Sequence, residues 1–321
     1  MSDTRLASSF RDPSGFLYRS AEGQLLRFVD ASYASEFDHL HSSGLYDALT
    51  QAGQLVPHKT LDIDPKAHTT LAPEELPFIS YPYEWCFDQL KDAALLTLDI
   101  QTKAIEHGMT LKDASAYNVQ FRGANPIFID TLSFDHYTEG EPWVAYRQFC
   151  QHFLAPLTLM SSTDERIHRL LGTFIDGIPL DMAASLLPFR RKLKPAIYTH
   201  LVLHSKMQTR YSDTKEAPSE KKSDKPRKGG MSKTGLLGLI DSLRSTVSGL
   251  QSTNAITEWG DYYNDTNYSD AAMQHRLHRT NVDRPLETDC APCYRASTAL
   301  RFFVTFCSSA PRRKRSEFSM N

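Results

Sequence analysis

The stretch LKDASAYNVQFRGANPIFIDTLSF, residues 111–134, constrains the fold of this chain more than any other. Residues 119–121 (VQF) and 126–129 (PIFI) are short β-prone runs, and the RGAN between them is turn chemistry. A hairpin closed there pairs its strands antiparallel. Asn118, just before the first strand, and Asp130, just after the second, then meet at its open end. Asp113 lies on the segment leading in, five residues ahead of Asn118. The fold must therefore leave an edge on which three oxygen-bearing side chains converge.

The flanking pattern sets the class. Residues 16–30 (FLYRSAEGQLLRFVD) carry two β-prone runs around AEGQ and predict a second hairpin. Phe37, Leu40, Leu45 and Leu49 predict a helix or helix pair, and LPFISYPYEW an extended segment. From Phe87, the positions Leu90, Ala94, Leu98 and Ile105 follow helical spacing, and Gly108 is the natural stop. After residue 140 come amphipathic runs: EPWVAYRQFCQHFLAPLTLM, DERIHRLLGTFI and DMAASLLPFRRKLKPAIYTHLVLH. A small β-containing start, a long helix, a hairpin and a string of helices predict an α+β fold in two lobes, not alternating βαβ units.

Beyond residue 204 the composition shifts. Residues 205–233 hold nine Lys/Arg against four Asp/Glu and almost nothing to bury, which predicts a flexible linker after a domain over 10–204. GGMSKTG lacks the G-x-x-x-x-G-K-[ST] order of a phosphate loop. Residues 234–272 hold a short amphipathic helix and an aromatic segment. Residues 273–321 predict a disordered tail, left by truncation or a shifted reading frame, and their end, SSAPRRKRSEFSMN, shows neither helical nor strand period. The tail's His275-x₂-His278 and Cys290-x₂-Cys293 match no zinc-finger spacing.

Bulk properties exclude several classes. A formal charge of −2 lacks the basic footprint of a nucleic-acid-binding protein. No apolar run reaches the ~18 residues of a membrane span, and no signal peptide opens the chain. Five cysteines, an odd number, argue against a disulfide framework. The expectation is a cytoplasmic protein without membrane or nucleic-acid partners.

At the hairpin edge the chemistry has two readings. Hard oxygen ligands suit Mg²⁺, which bridges nucleotide phosphates, and a free Asp113 carboxylate could orient or deprotonate a hydroxyl. Taken singly, Asp113 is a turn or cap residue, Asn118 a loop former and Asp130 a strand terminator. Their convergence is what favours a site.

D-x-x-x-x-N followed by a strand-terminal Asp resembles the catalytic loop and metal-binding Asp of protein-kinase-like folds, including the aminoglycoside and choline phosphotransferases. The resemblance makes Asp113 the catalytic residue and Asn118 and Asp130 the metal ligands. It implies Mg²⁺ and ATP as cofactors and a small hydroxyl-bearing substrate. The pattern departs at Leu111, where kinases carry His, and at Thr131–Leu132, where they carry Phe-Gly. Glycine-rich loop and strand lysine are missing. Arg27 is the best substitute for that lysine, with Glu36 or Asp38 on the next helix as its ion-pair partner. A solvent-facing strand arginine is the plainer alternative.

More widely, RDPSGFLYR, SGLYDALTQAG, SYPYEWCFDQLKDAALLTLDIQ, LKDASAYNVQF, PIFIDTLSF and PWVAYRQFCQHFLAPL resemble the N-terminal region of a bacterial family described as SAM-dependent methyltransferases. The resemblance covers residues 10–272. TEWGDYYNDTNYSDAAM leads, in that family, into a Rossmann-like methyltransferase domain, which needs a glycine-rich turn against SAM. No glycine follows Gly260 here, so that domain is expected to be absent and SAM to bind only full-length members. The resemblance leaves a phosphotransferase, a non-catalytic scaffold for a methyltransferase domain or partner, and a methyltransferase fragment as the alternatives.

Overall fold

Strand pairing at the N-terminal end begins from the predicted hairpin. The computed structural model describes residues 4–6, 12–203 and 230–252, all within one compact unit, Met1–Thr253. The linker up to residue 229, the aromatic segment beyond Ser252 and the tail lie outside the described residues.

Strands β1 (Thr4–Arg5), β2 (Gly15–Arg19), β3 (Leu25–Val29), β4 (His58–Leu61) and β5 (Thr69–Pro73) form an antiparallel sheet of order β1-β2-β3-β5-β4. Arg27 on β3 stands opposite Leu17 on one side and Leu71 on the other. Helices α1 (Ala34–Ser42) and α2 (Leu45–Gln51) connect β3 to β4. LPFISYPYEW contributes no strand. It holds one tight turn at Pro82–Glu84, and Gln120 grips its Ser80 by both backbone groups, at 3.0 and 2.9 Å.

The long helix α3 (Phe87–Glu106) buries Phe87, Leu90, Ala94, Leu98 and Ile105, the stripe its sequence spacing predicts. It stops just before Gly108, whose φ of +75° is the left-handed turn glycine tolerates best. Strand β6 (Met109–Leu111) follows at once, then the hairpin β7 (Val119–Arg122) and β8 (Asn125–Phe128), then β9 (Phe134–His136). β6 pairs with β9, and β7 with β8 in the register Val119↔Phe128.

Helices dominate thereafter: α4 (Tyr146–Phe149), a wider turn at Cys150–Leu154, α5 (Ala155–Met160), α6 (Leu180–Leu186), α7 (Phe189–Lys192) and α8 (Pro195–Ile197). Pro188 and Pro195 cut the last run into short pieces, because proline blocks the backbone ladder of a preceding turn. Helix α9 (Lys233–Ser248), which the sequence sets apart from the first domain, packs into the same core. It buries Leu236, Ile240, Leu243 and Val247, its Arg244 pairs with Asp99 of α3, and Lys91 of α3 bonds the Ser248 and Leu250 carbonyls at 2.8 and 2.9 Å. Among the described residues no helix is long and apolar enough to cross a membrane. The expected α+β composition stands.

Candidate functional site

The site is built by short local turns before any tertiary contact. Asp113 Oδ1 accepts from the Ser115 amide at 2.8 Å, and Ser115 Oγ caps the next turn through the Tyr117 amide. That turn, Ala116–Asn118, delivers Asn118 to the hairpin mouth. Its carbonyl accepts from the Ile129 amide at 2.8 Å, one rung beyond Val119↔Phe128. The extra rung sets Asp130 beside Asn118. Asn118 Nδ2 donates to Ser133 Oγ at 3.2 Å, and the Ser133 hydroxyl donates to Asp130 Oδ2.

Asp113 completes the cluster. Its Oδ1 also accepts from Gln148 Nε2 at 2.8 Å, and the Asn118 side chain lies near enough to favour its charged form. Burial pushes the Asp113 carboxyl above the ordinary carboxylate range, and the Asp130 charge adds to the rise. Ser115, Gln148 and Asn118 oppose it without cancelling it. The result is a more basic carboxylate, the direction a proton acceptor needs.

Arg27 arrives from the sheet. Its Nη1 lies 2.5 Å from Asp130 Oδ1 and its Nη2 2.7 Å from Asp12 Oδ2. The three side chains are only 11%, 19% and 24% exposed for Arg27, Asp130 and Asp12, so solvent screens the pairs weakly. Asp12 Oδ1 accepts from the Ser14 amide, and Ser14 Oγ from Lys112 Nζ at 2.8 Å. Lys112 in turn sits 4.2 Å above the Tyr33 ring, whose hydroxyl donates to the Phe134 carbonyl at 2.5 Å.

Two expectations need correction. The ion-pair partner of Arg27 is neither Glu36 nor Asp38. Asp38 pairs with His68 at 2.8 Å. Glu36 lies on α1 beside a cavity of about 200 Å³ that it lines with Ser14, Tyr33 and Lys112, and its buried Oε2 has no hydrogen-bond partner there. Asp12 and Asp130 take the guanidinium instead. The second concerns Cys86: set between Trp85 and Phe87 in the sequence, it reads as a buried, inert thiol, but it is exposed at the start of α3 while its two neighbours are buried.

Sequence reasoning missed Asp12, Ser133 and Gln148. Asp12 had a signal, since D-P-S-G just before a strand is turn chemistry that orients an acid. Gln148 had none. The zinc-like tail residues lie outside the described residues.

The donor set of Asn118 and Asp130 is oxygen-rich and suits a hard cation. Among the described residues no group of three or more His, Cys, Asp or Glu is placed to hold a metal. Asp130 Oδ1 serves Arg27 and the Leu132 amide, and Oδ2 serves Ser133, so a cation would take Asp130 only in exchange for one of these partners.

No protein-family model matches the chain. It is 34% identical over 256 residues to the nodulation protein NoeA of Rhizobium meliloti (strain 1021), covering 77% of this chain and 52% of that protein. The chain thus spans about half the length of the curated relative it matches. Among solved structures, vaccinia related kinase 3 aligns over 76% of this chain and 87% of that chain at 11% identity, with a TM-score of 0.37, too low to equate the two folds.

Proposed function

We propose that this chain is a two-lobed, protein-kinase-like module that binds Mg²⁺ and ATP and transfers phosphate to a small hydroxyl-bearing molecule. One juxtaposition carries the reading: the β7–β8 ribbon brings Asn118 and Asp130 onto a shared Ser133 hydroxyl, with the Asp113 carboxyl close enough to feel both and the strand cation Arg27 on Asp130. In phosphoryl transfer the protein contributes positioning and charge stabilisation more than covalent chemistry. Asn118 and Asp130 would hold the metal, which neutralises phosphate charge when bound. Asp113, with its raised basicity, orients the hydroxyl and accepts its proton. Arg27 supplies the permanent positive charge that a strand lysine gives in kinases. Glu36 enters only as a carboxylate of the adjoining cavity. A cytoplasmic setting belongs to the same proposal, and the relative's name adds nodulation as its context.

A second reading has its own support. Arg27 bridges Asp12 and Asp130, filling the carboxylate that a metal would need. This favours a non-catalytic scaffold that presents substrate to a SAM-dependent methyltransferase domain or partner.

Thermal shift separates them. A rise in melting temperature that needs both ATP and MgCl₂ and vanishes in Asp130→Asn supports the nucleotide site. No rise at millimolar ATP overturns it in favour of the scaffold. A rise with SAM alone moves the chain to the methyltransferase reading.

A further inference from the structure

Between two buried anchors, Leu187 and Ile197, the chain turns outward. Pro188 and Pro195 bracket the turn, so α7 is a short knuckle between α6 and α8. Phe189 and Leu193, one helical turn apart, are 73% and 63% exposed, and Leu186 is 44% exposed. Arg190 and Lys194 beside them are exposed as well. Arg191 and Lys192 lie closer to the body, where they donate to the Ser161 and Ser185 carbonyls at 3.3 and 3.4 Å. From Met182 to Ser212 the sequence holds no Asp or Glu, and among the described residues none of these four cations is in an ion pair with a carboxylate.

We infer that this knuckle is a peripheral membrane-binding surface that seats on anionic phospholipid headgroups. Its bulky apolar side chains stand mostly in solvent, so they suit a soft acceptor more than a shaped one. The boundary between headgroups and acyl chains takes projecting Phe and Leu side chains without a preformed pocket. Arg and Lys around them keep their charges at phosphate level while their stems cover apolar surface. A folded acidic protein would instead have to offer pockets matched to both tips. The surface uses no residue of the Asp113 cluster, so it stands apart from the phosphotransfer reading.

Vesicle co-sedimentation of the full chain tests this, with phosphatidylcholine vesicles compared against vesicles of phosphatidylcholine and phosphatidylserine. Binding is expected to the anionic vesicles only and to weaken as salt is raised. Each cation neutralised is expected to weaken it roughly fivefold. The double reversal Arg190→Glu/Lys194→Glu abolishes it, and Phe189→Ser/Leu193→Ser weakens it on the same vesicles. Both pairs are exposed, so an unchanged melting temperature verifies folding. Absence of wild-type binding at low salt overturns the inference, as does binding that survives the charge reversal and so arises from another basic segment. Capture of polyglutamate without binding to anionic vesicles also overturns it, in favour of an acidic polypeptide partner.

Discussion

Arg27 on β3 holds Asp130 at 2.5 Å and Asp12 at 2.7 Å, so one guanidinium ties the N-terminal sheet to the mouth of the β7–β8 hairpin. Replacing it with methionine leaves two weakly hydrated carboxylates facing each other without their cation. Arg27→Met is expected to cost about 2–4 kcal/mol of stability in urea denaturation. Arg27→Lys recovers only part of this, because a single ammonium cannot reproduce the two-ended fork. A loss well under 1 kcal/mol would show that the pair is effectively solvated.

Asp113 gives a prediction of opposite sign. Its folded-state pKa is raised, so ionising it is harder in the folded chain than in the unfolded one. The stability it contributes is full below the ordinary carboxylate pKa and is lost as pH rises through the raised value. Asp113→Asn removes that penalty while its carbonyl still accepts from Ser115 and Gln148. The variant should melt above wild type at neutral pH, and the gap should close in acid, below a pH of about 3.9. Phosphotransfer, on the proposed reading, should fall by about 10²-fold or more. A variant less stable than wild type at neutral pH would make Asp113 an ordinary turn former.

The hairpin and the long helix were legible because each is set by local chemistry. RGAN fixes a turn, and Phe87, Leu90, Ala94, Leu98 and Ile105 repeat at the helical period and are all buried. Strands β4 and β5 were not legible. HKTL is polar and half exposed, and β5 owes its place to pairing with β3, where Thr70 stands opposite Phe28. The partners of Arg27 were misjudged for a related reason. Glu36 is near in sequence but lines the cavity with Lys112, and Asp12, ahead of β2, and Asp130, past the β7–β8 hairpin, take the charge. For α9 the stripe Leu236, Ile240, Leu243 and Val247 announces a buried face. Nothing local says which body that face packs on.

Gly15 joins the sheet to the site through a close approach. A Cβ there would lie 2.0 Å from the Phe28 carbonyl oxygen and 3.0 Å from Leu132 Cδ1, two residues past Asp130. Backbone cannot yield as a flexible side chain would, so β2 and β3 must part. Gly15→Ala is expected to cost about 2–4 kcal/mol. It should also weaken any ATP–Mg²⁺ thermal shift, since Leu132 and the segment after Asp130 are displaced together. Full retention of both stability and shift would mean that the strand ends adjust freely.

Helix α9 permits a direct comparison of burial with surface charge. Leu243 is fully buried in the main core, whereas the neighbouring Arg244 pairs with Asp99 across a surface where the two side chains are 31% and 39% exposed. Leu243→Ala removes apolar contacts and leaves a cavity, at a cost of about 2–5 kcal/mol. Arg244→Gln loses a screened pair worth about 1 kcal/mol at most. If α9 is integral to the unit Met1–Thr253, Leu243→Ala should lower the main melting transition of that unit. A helix that docks loosely would instead give an early, separate transition in wild type, with the main one indifferent to Leu243→Ala. Differential scanning calorimetry of the two variants decides between these outcomes.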